Sequence, residues 1–166
     1  NVAGEELTPM VQKANGQYGT SKTIGIGIAD ELDVTFFPEV TFVEPVLPIE
    51  DMPPHITTFP LALTTLASWV ETNTEEISFS PVEDLQGPWR IATVVQVRVP
   101  VSEDHTELAD PVAKLVVIGD SDFARNGFFF SSENADLFLN SVNWLADDFE
   151  LIAVRPKLVP YRVLIV

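Results

Sequence analysis

The residues best suited to chemistry lie in one short loop, 119–127, with the sequence GDSDFARNG. Within it, Asp120, Ser121, Asp122, Arg125 and Asn126 offer two carboxylates, a hydroxyl, a cation and an amide. Oxygen ligands of this kind suit Mg²⁺ or Ca²⁺, and the same groups suit hydrogen bonding to a polar partner or a sugar. We therefore take these five residues as the candidate ligand-binding or partner-binding site.

The spacing of the loop does not match a calcium-binding loop. Counting from Asp120, the fifth position is Ala124 and the sixth is Arg125, where that motif needs a ligand and a glycine. Short acidic side chains also bond backbone amides in tight turns, which is the structural alternative for Asp120 and Asp122. Whether the two carboxylates hold a metal or only close a turn stays open at this point.

Nucleophilic catalysis has little support in the sequence. The chain has no cysteine, its two histidines are His55 and His105, and no serine lies in a Gly-x-Ser-x-Gly motif. Ser121 stands between two acids whose charges oppose formation of an alkoxide. We expect a non-enzymatic protein without a cofactor, and a metal-assisted hydrolase using Asp120 and Asp122 is the alternative.

Two elements would position the loop. The run 114–118 (KLVVI) is apolar on both faces, which predicts a central and parallel strand before the loop. A helix is predicted over 134–148, with Phe138, Val142, Leu145 and Phe149 spaced along the face that packs on the sheet. Ligands of open α/β sheets bind at the carboxyl ends of such strands, so the loop has the right place for a site.

Residues 1–166 are predicted to form a single domain, and the rest of the chain supplies its other elements. A polar N-terminal segment, 1–23, has room for one short helix around 7–14, and a Pro-rich connection spans 38–60. Strands are predicted at 24–28, 40–44 and 91–99, and 61–70 is divided evenly between helix and strand. With the strand-loop-helix unit at 113–149, the expected fold is α/β, with a mixed, mostly parallel sheet and flanking helices.

Composition limits the partners. The chain has 25 Asp and Glu against nine Lys and Arg, a formal net charge of −16. Nucleic-acid binding needs a basic face, so this class is excluded, and anionic lipids and polyphosphates would be repelled unless a local cluster of charge intervened. Trp69, Trp89 and Trp144 could line a sugar-binding groove, which keeps a carbohydrate-binding module as a further alternative, although we expect all three to be buried.

The C-terminal half resembles a known family. The segments 115–123 (LVVIGDSDF), 134–146 (NADLFLNSVNWLA) and 151–157 (LIAVRPK) are similar to the C-terminal part of the gliding-motility-type auxiliary proteins of ABC transporters. Weaker landmarks in the same order are 55–57 (HIT), 68–72 (SWVET) and 87–89 (GPW). The resemblance covers residues 40–160 and leaves the first 40 residues without a counterpart.

This resemblance implies an accessory or substrate-binding component of an ABC transport system, with permease and ATPase subunits as partners. It also implies an extracytoplasmic domain at the periplasmic face of the bacterial inner membrane, anchored by a transmembrane helix after the Arg-Pro-Lys sequence. The basic, acid-free segment 151–166 agrees with such an anchor, so we expect the full protein to continue into a membrane span.

The same resemblance implies a fold similar to class I glutamine-amidotransferase-like, flavodoxin-like domains. Those domains use a cysteine nucleophile at a strand-to-helix turn. Because this chain has no cysteine, amidotransferase activity is not carried over.

Overall fold

A computed structural model describes the backbone of residues 7–72, 77–100 and 108–152, and their side chains apart from those of 99, 100 and 108–112. His105 and the basic segment 153–166 lie outside the described residues. The strands are β1 (Met10–Gln12), β2 (Val34–Phe36), β3 (Ile56–Leu63), β4 (Trp69–Val70), β5 (Leu85–Gln86), β6 (Arg90–Pro100) and β7 (Leu108–Ile118). The α-helices are α1 (Ser21–Ile24) and α2 (Asn134–Leu145), and 3-10 turns lie at Lys13–Asn15, Ile49–Asp51, Asp122–Ala124 and Phe149–Leu151.

The main sheet has three strands in the order β3-β6-β7, and β1-β2 and β4-β5 form two smaller pairs. Every strand pairing in the described part of the chain is antiparallel. The prediction of an α/β, mostly parallel, flavodoxin-like sheet is therefore wrong. Parallel neighbours need a crossover of a dozen or more residues, whereas only residues 101–107 separate β6 from β7.

The strand predicted at 114–118 exists, but it is the end of β7 and lies at an edge of the main sheet rather than at its centre. The two faces of this segment have different surroundings. Val116 and Ile118 pack against the core, while Leu115, on the opposite face, is exposed. The continuous apolar run predicted a strand that is buried on both faces, but this edge strand is buried on one face only.

The core lies between the main sheet, α2 and the N-terminal loops. Its fully buried members include Val11, Ile28, Phe37, Leu61 and Leu137. The run 24–28 supplies two of its residues, Ile26 and Ile28, although it forms no strand: α1 ends there, and Gly25 closes the helix at φ +71. Glycine adopts that left-handed conformation readily, which is why the alternating Ile-Gly pattern here gives a helix end and a turn.

Two further sequence expectations are corrected outside the strands of the main sheet. Residues 10–12 form strand β1 instead of the predicted helix. Residues 40–44 are not in a regular strand, yet Thr41 N donates to Gly119 O (2.9 Å) and Val43 N to Arg90 O (2.7 Å). A Cβ at position 119 would collide with the Thr41 carbonyl oxygen, so this close crossing requires glycine.

Other elements follow the sequence. The strand predicted over 91–99 is confirmed within β6, and 61–70 contributes the end of β3 and all of β4. Helix α2 begins at Asn134 as predicted and ends at Leu145, three residues early.

The prediction of which face of α2 packs inward is wrong. Its buried side chains are Asn134, Leu137, Asn140, Ser141 and Trp144, whereas Phe138, Val142 and Leu145 are exposed. The reason is hydrogen bonding to backbone groups beneath the helix. Asn134 bonds the N and O of Phe36 (2.9 and 3.0 Å) at the end of β2, and Asn140 donates to Ile28 O (2.9 Å) in the turn after α1, so both amides face inward.

Candidate functional site

The predicted loop begins where β7 ends, and its first residue is held from two sides. Gly119 N donates to Ile91 O (2.9 Å) in β6, and Gly119 O accepts Thr41 N (2.9 Å). Asp122–Ala124 then form a single 3-10 turn whose Phe123 is buried against Phe37. The loop is thus anchored to the core at both its start and its middle.

Asp120 closes this turn. Its Oδ1 accepts the Asp122 N–H (2.6 Å) and its Oδ2 accepts the Phe123 N–H (3.2 Å). Partial burial raises the pKa of the Asp120 carboxyl above its ordinary value, although the two backbone N–H donors oppose that rise. The geometry is that of the turn alternative, with both carboxylate oxygens used by backbone amides.

Asp122 makes a different contact. Its Oδ1 lies 3.0 Å from Arg125 Nη1, three residues further along the chain. The Asp122 hydrogen bond and charge raise the pKa of the Arg125 guanidinium. Because Arg125 is largely exposed, solvent screens this ion pair, and it orients the two side chains more than it stabilises the fold.

Three of the five predicted residues share one surface depression. Asp122, Arg125 and Asn126 line an open hollow of about 530 Å³ together with Ala124, Gly127 and Phe128. Asp120 and Ser121 do not line it. The depression offers a carboxylate, a guanidinium and an amide to solvent, a set that can bind polar groups by hydrogen bonding.

The described residues contain no group of three or more His, Cys, Asp or Glu placed to hold a metal ion. The metal-assisted hydrolase is not tested by this finding and stays a hypothesis. Calorimetric titration with Mg²⁺ and with Ca²⁺ tests it, since a hydrolase of that kind must bind its ion.

A second cluster, which the sequence did not indicate, joins β7 to the end of α2. Lys114 Nζ donates to Trp144 O (3.2 Å) and to Asp147, and it lies 5.1 Å from the ring centroids of both Trp144 and Phe149. The Lys114 side chain is only 9% exposed. A cation at the carboxyl end of a helix is stabilised by the helix dipole, so this cluster fixes α2 on the sheet.

A third feature is a pocket of about 410 Å³ between the first described residues and the turn before β4. Its polar lining includes Gln12, Asn15, Gln17, Ser68, Trp69 and Glu71. Trp144 is buried as expected, but Trp69 and Trp89 are only partly buried, which corrects the expectation for those two. Sequence alone could have found this pocket only by pairing the amides of 12–17 with a tryptophan more than 50 positions away.

Among the described residues, no helix has both the length and the apolar composition that a membrane crossing needs.

Comparison with known proteins leaves the chain without a match: no protein-family model fits it, and no curated protein or solved structure is significantly similar to it. The similarity to ABC-transporter auxiliary proteins therefore stays a prediction that depends on the sequence segments quoted above.

Proposed function

We propose that this chain is a non-catalytic docking domain, the extracytoplasmic accessory component of an ABC transport system. The observation that carries the docking role is the outward side of α2. We call it the outer face of α2 and define it as Phe138, Leu139, Val142 and Leu145, extended by Phe130 and Phe149 at its two ends.

The outer face of α2 is apolar and accessible. Phe138, Leu139, Val142 and Leu145 are each between 40% and 48% exposed, and Phe130 is 81% exposed. Phe129 connects the start of this surface, with its ring centroid 5.0 Å from that of Phe130 and 5.8 Å from that of Phe138. Contiguous apolar surface of this kind on a folded protein is typical of an interaction site.

The charges around this face limit its occupant. Residues 126–152 contain five acids, Glu133, Asp136, Asp147, Asp148 and Glu150, and no Lys or Arg. A second copy of this chain would bring the same acids and a net charge of −16 into contact with them. The occupant that fits is a partner protein whose contact segment has apolar side chains bordered by Lys or Arg.

The five-residue candidate site supports the same role. It precedes α2 along the chain, separated from it by residues 128–133, and its Asp122, Arg125 and Asn126 offer polar groups of the kind found at the rim of a protein interface. Replacing Asp122 by Asn should leave folding intact and weaken binding of the partner. The transport system and the periplasmic compartment are supported by the sequence resemblance alone.

The test is co-purification of the tagged full-length protein with the ABC permease and ATPase subunits encoded beside its gene. Val142→Glu with Leu139→Glu should abolish co-purification, because it places acids on an apolar contact. Asp148→Lys with Glu150→Lys should weaken it if the partner is basic.

Leu66→Glu is the matched control, since Leu66 is 70% exposed and lies between β3 and β4, outside the face that is tested. Its co-purification should equal that of the unaltered protein. The proposal is wrong if the gene has no ABC subunits beside it, or if the α2 variants and Leu66→Glu behave alike.

A further inference from the structure

The pocket between β1 and β4 has the features of a small-molecule site. It is bordered on one side by Gln12, Asn15 and Gln17, and on the other by the 64–71 segment with Trp69. Its volume of about 410 Å³ is within the range of small-ligand pockets, which is roughly 300–1,000 Å³. It shares no lining residue with the depression at Asp122 and contains no residue of the outer face of α2.

Its three amide side chains are held in fixed orientations. Gln17 is 4% exposed; its Nε2 donates to Leu63 O (2.8 Å), and its Oε1 accepts Gln12 N (3.1 Å) and Asn15 Nδ2 (3.3 Å). Asn15 Nδ2 also donates to Gln12 Oε1 (2.9 Å). Gln17 is therefore held at both ends of its amide, and Gln12 and Asn15 are each held at one end, which reduces the entropy that is lost when a ligand binds.

The opposite ends of two of these amides remain for a ligand. Within the described residues, Gln12 Nε2 has only the thioether of Met10 as an acceptor (3.5 Å), and Asn15 Oδ1 accepts no hydrogen bond. A thioether is a weak acceptor, so the side chains of Gln12 and Asn15, which bond each other, leave one N–H donor and one carbonyl acceptor for a ligand. Such a pair matches a hydroxyl group, which donates and accepts at one oxygen.

An aromatic ring completes the pocket. Trp69 is partly exposed, its Nε1 donates to Glu71 Oε2 (3.0 Å), and its ring packs at a tilt of 57° against Phe79, with 5.7 Å between the centroids. The indole is thus fixed from its polar edge and from one neighbour. A fixed aromatic face binds the C–H groups on one side of a saturated ring by dispersion and by loss of apolar hydration.

Charge selects against an anionic ligand. Among the described lining residues there is no Lys or Arg, and Glu71 is the one charged side chain. In a chain of net charge −16, an anionic ligand would be repelled. We infer that this pocket binds a neutral sugar, such as one or two units of an uncharged polysaccharide.

Three neutral oligosaccharides serve as probes: cellohexaose, laminarihexaose and the hexasaccharide of N-acetylglucosamine. Each is titrated into the 166-residue chain by calorimetry, with tryptophan fluorescence as a second readout. At least one should bind with a Kd of about 1 mM or tighter, as expected for a small preorganised pocket. Polygalacturonate, a charged polymer, should bind at least tenfold more weakly than the best neutral probe.

The variants Gln12→Ala and Asn15→Ala should each weaken binding about tenfold, which equals roughly 1.4 kcal/mol. Trp69→Ala should abolish it, and Trp89→Ala is the matched control because Trp89 also bonds a nearby group through Nε1 but does not line the pocket. Circular dichroism establishes that each variant is folded. Asn15 is exposed, so we expect Asn15→Ala to fold. That variant therefore still tests the inference if Trp69→Ala does not fold.

The inference is overturned if none of the three probes binds at 10 mM, if polygalacturonate binds as well as they do, or if Asn15→Ala and Gln12→Ala bind like the unaltered chain. None of these outcomes bears on docking through α2, because the two surfaces share no residue.

Discussion

The two sides of α2 differ in a way that reverses the usual pattern of a helix on a sheet. The inward side carries Asn134, Asn140 and Ser141 beside only two large apolar residues, Leu137 and Trp144. The outer side carries the phenylalanine, leucine and valine side chains that ordinarily form a core. The difference teaches that backbone N–H and C=O groups beneath a helix can decide which of its sides faces inward. Leaving such buried groups without hydrogen-bond partners costs more free energy than exposing a few apolar side chains.

The largest expected effect is at Asn134. Asn134→Ala should lower the free energy of unfolding by about 3 kcal/mol or more, since it removes bonds to Phe36 N, Phe36 O and Phe128 O at a fully buried position. Urea denaturation measures this. Asn143→Ala is the control, because Asn143 makes one exposed bond to Leu151 O (3.2 Å) and should cost less than about 1 kcal/mol. If both variants lost the same free energy of unfolding, the buried amides would not be what holds the inward side of α2.

A second prediction compares two leucines on the same helix. Leu137→Ala should cost about 2 to 4 kcal/mol because Leu137 is fully buried, whereas Leu145→Ala should cost less than about 1 kcal/mol. Both values come from the same urea experiment. If Leu145→Ala proved the more costly, the outer face of α2 would be covered in solution, and our account of it would be wrong.

Lys114 tests how the end of α2 is fixed. Lys114→Met keeps most of the apolar stem but removes the cation that bonds Trp144 O and Asp147, so we expect a loss of about 1 to 2 kcal/mol. Lys22→Met, which removes an exposed lysine of α1, is the control and should be close to neutral. Thermal unfolding measures the Tm of both variants. Equal Tm values for Lys114→Met and Lys22→Met would show that the Lys114 cluster does not stabilise the helix.

The smallest effect concerns Asp120, a polar group that bonds backbone like the amides of α2 but does so near the surface. Its carboxyl pKa is raised in the folded protein, mainly by burial, so the folded state binds the proton more tightly than the unfolded state. The contribution of Asp120 to stability is therefore fully present below the ordinary pKa of Asp, about 4, and is lost as pH rises through the folded value.

Asp120→Asn keeps an acceptor for the Asp122 N–H and removes this titration. The difference in Tm between the variant and the unaltered chain should change in the variant's favour as pH rises from about 4 to about 6. A difference that stays constant with pH, or changes in the opposite direction, would contradict the raised pKa. Asp122→Asn is the comparison, and its effect on Tm should be small because the ion pair with Arg125 is exposed.

Local signals in the sequence predicted some elements well. The strand predicted at 91–99 lies within β6, and the helix after the loop begins at Asn134 as expected. The loop itself was located correctly after a strand. Its chemistry was less predictable, because Asp120 bonds two backbone amides while Asp122, two residues away, pairs with Arg125.

The sequence by itself determined the excess of acid, the lack of a thiol, and the order of strand, loop and helix from β7 to α2. Only the tertiary structure decided that β7 is an antiparallel edge strand, that the asparagines of α2 face inward, and that Gln12 and Asn15 lie opposite Trp69. The physical reason is the distance along the chain over which each interaction acts. Propensity and periodicity act over a few neighbouring residues, whereas strand direction, helix orientation and pocket composition depend on hydrogen bonds between groups as far apart as Phe36 and Asn134.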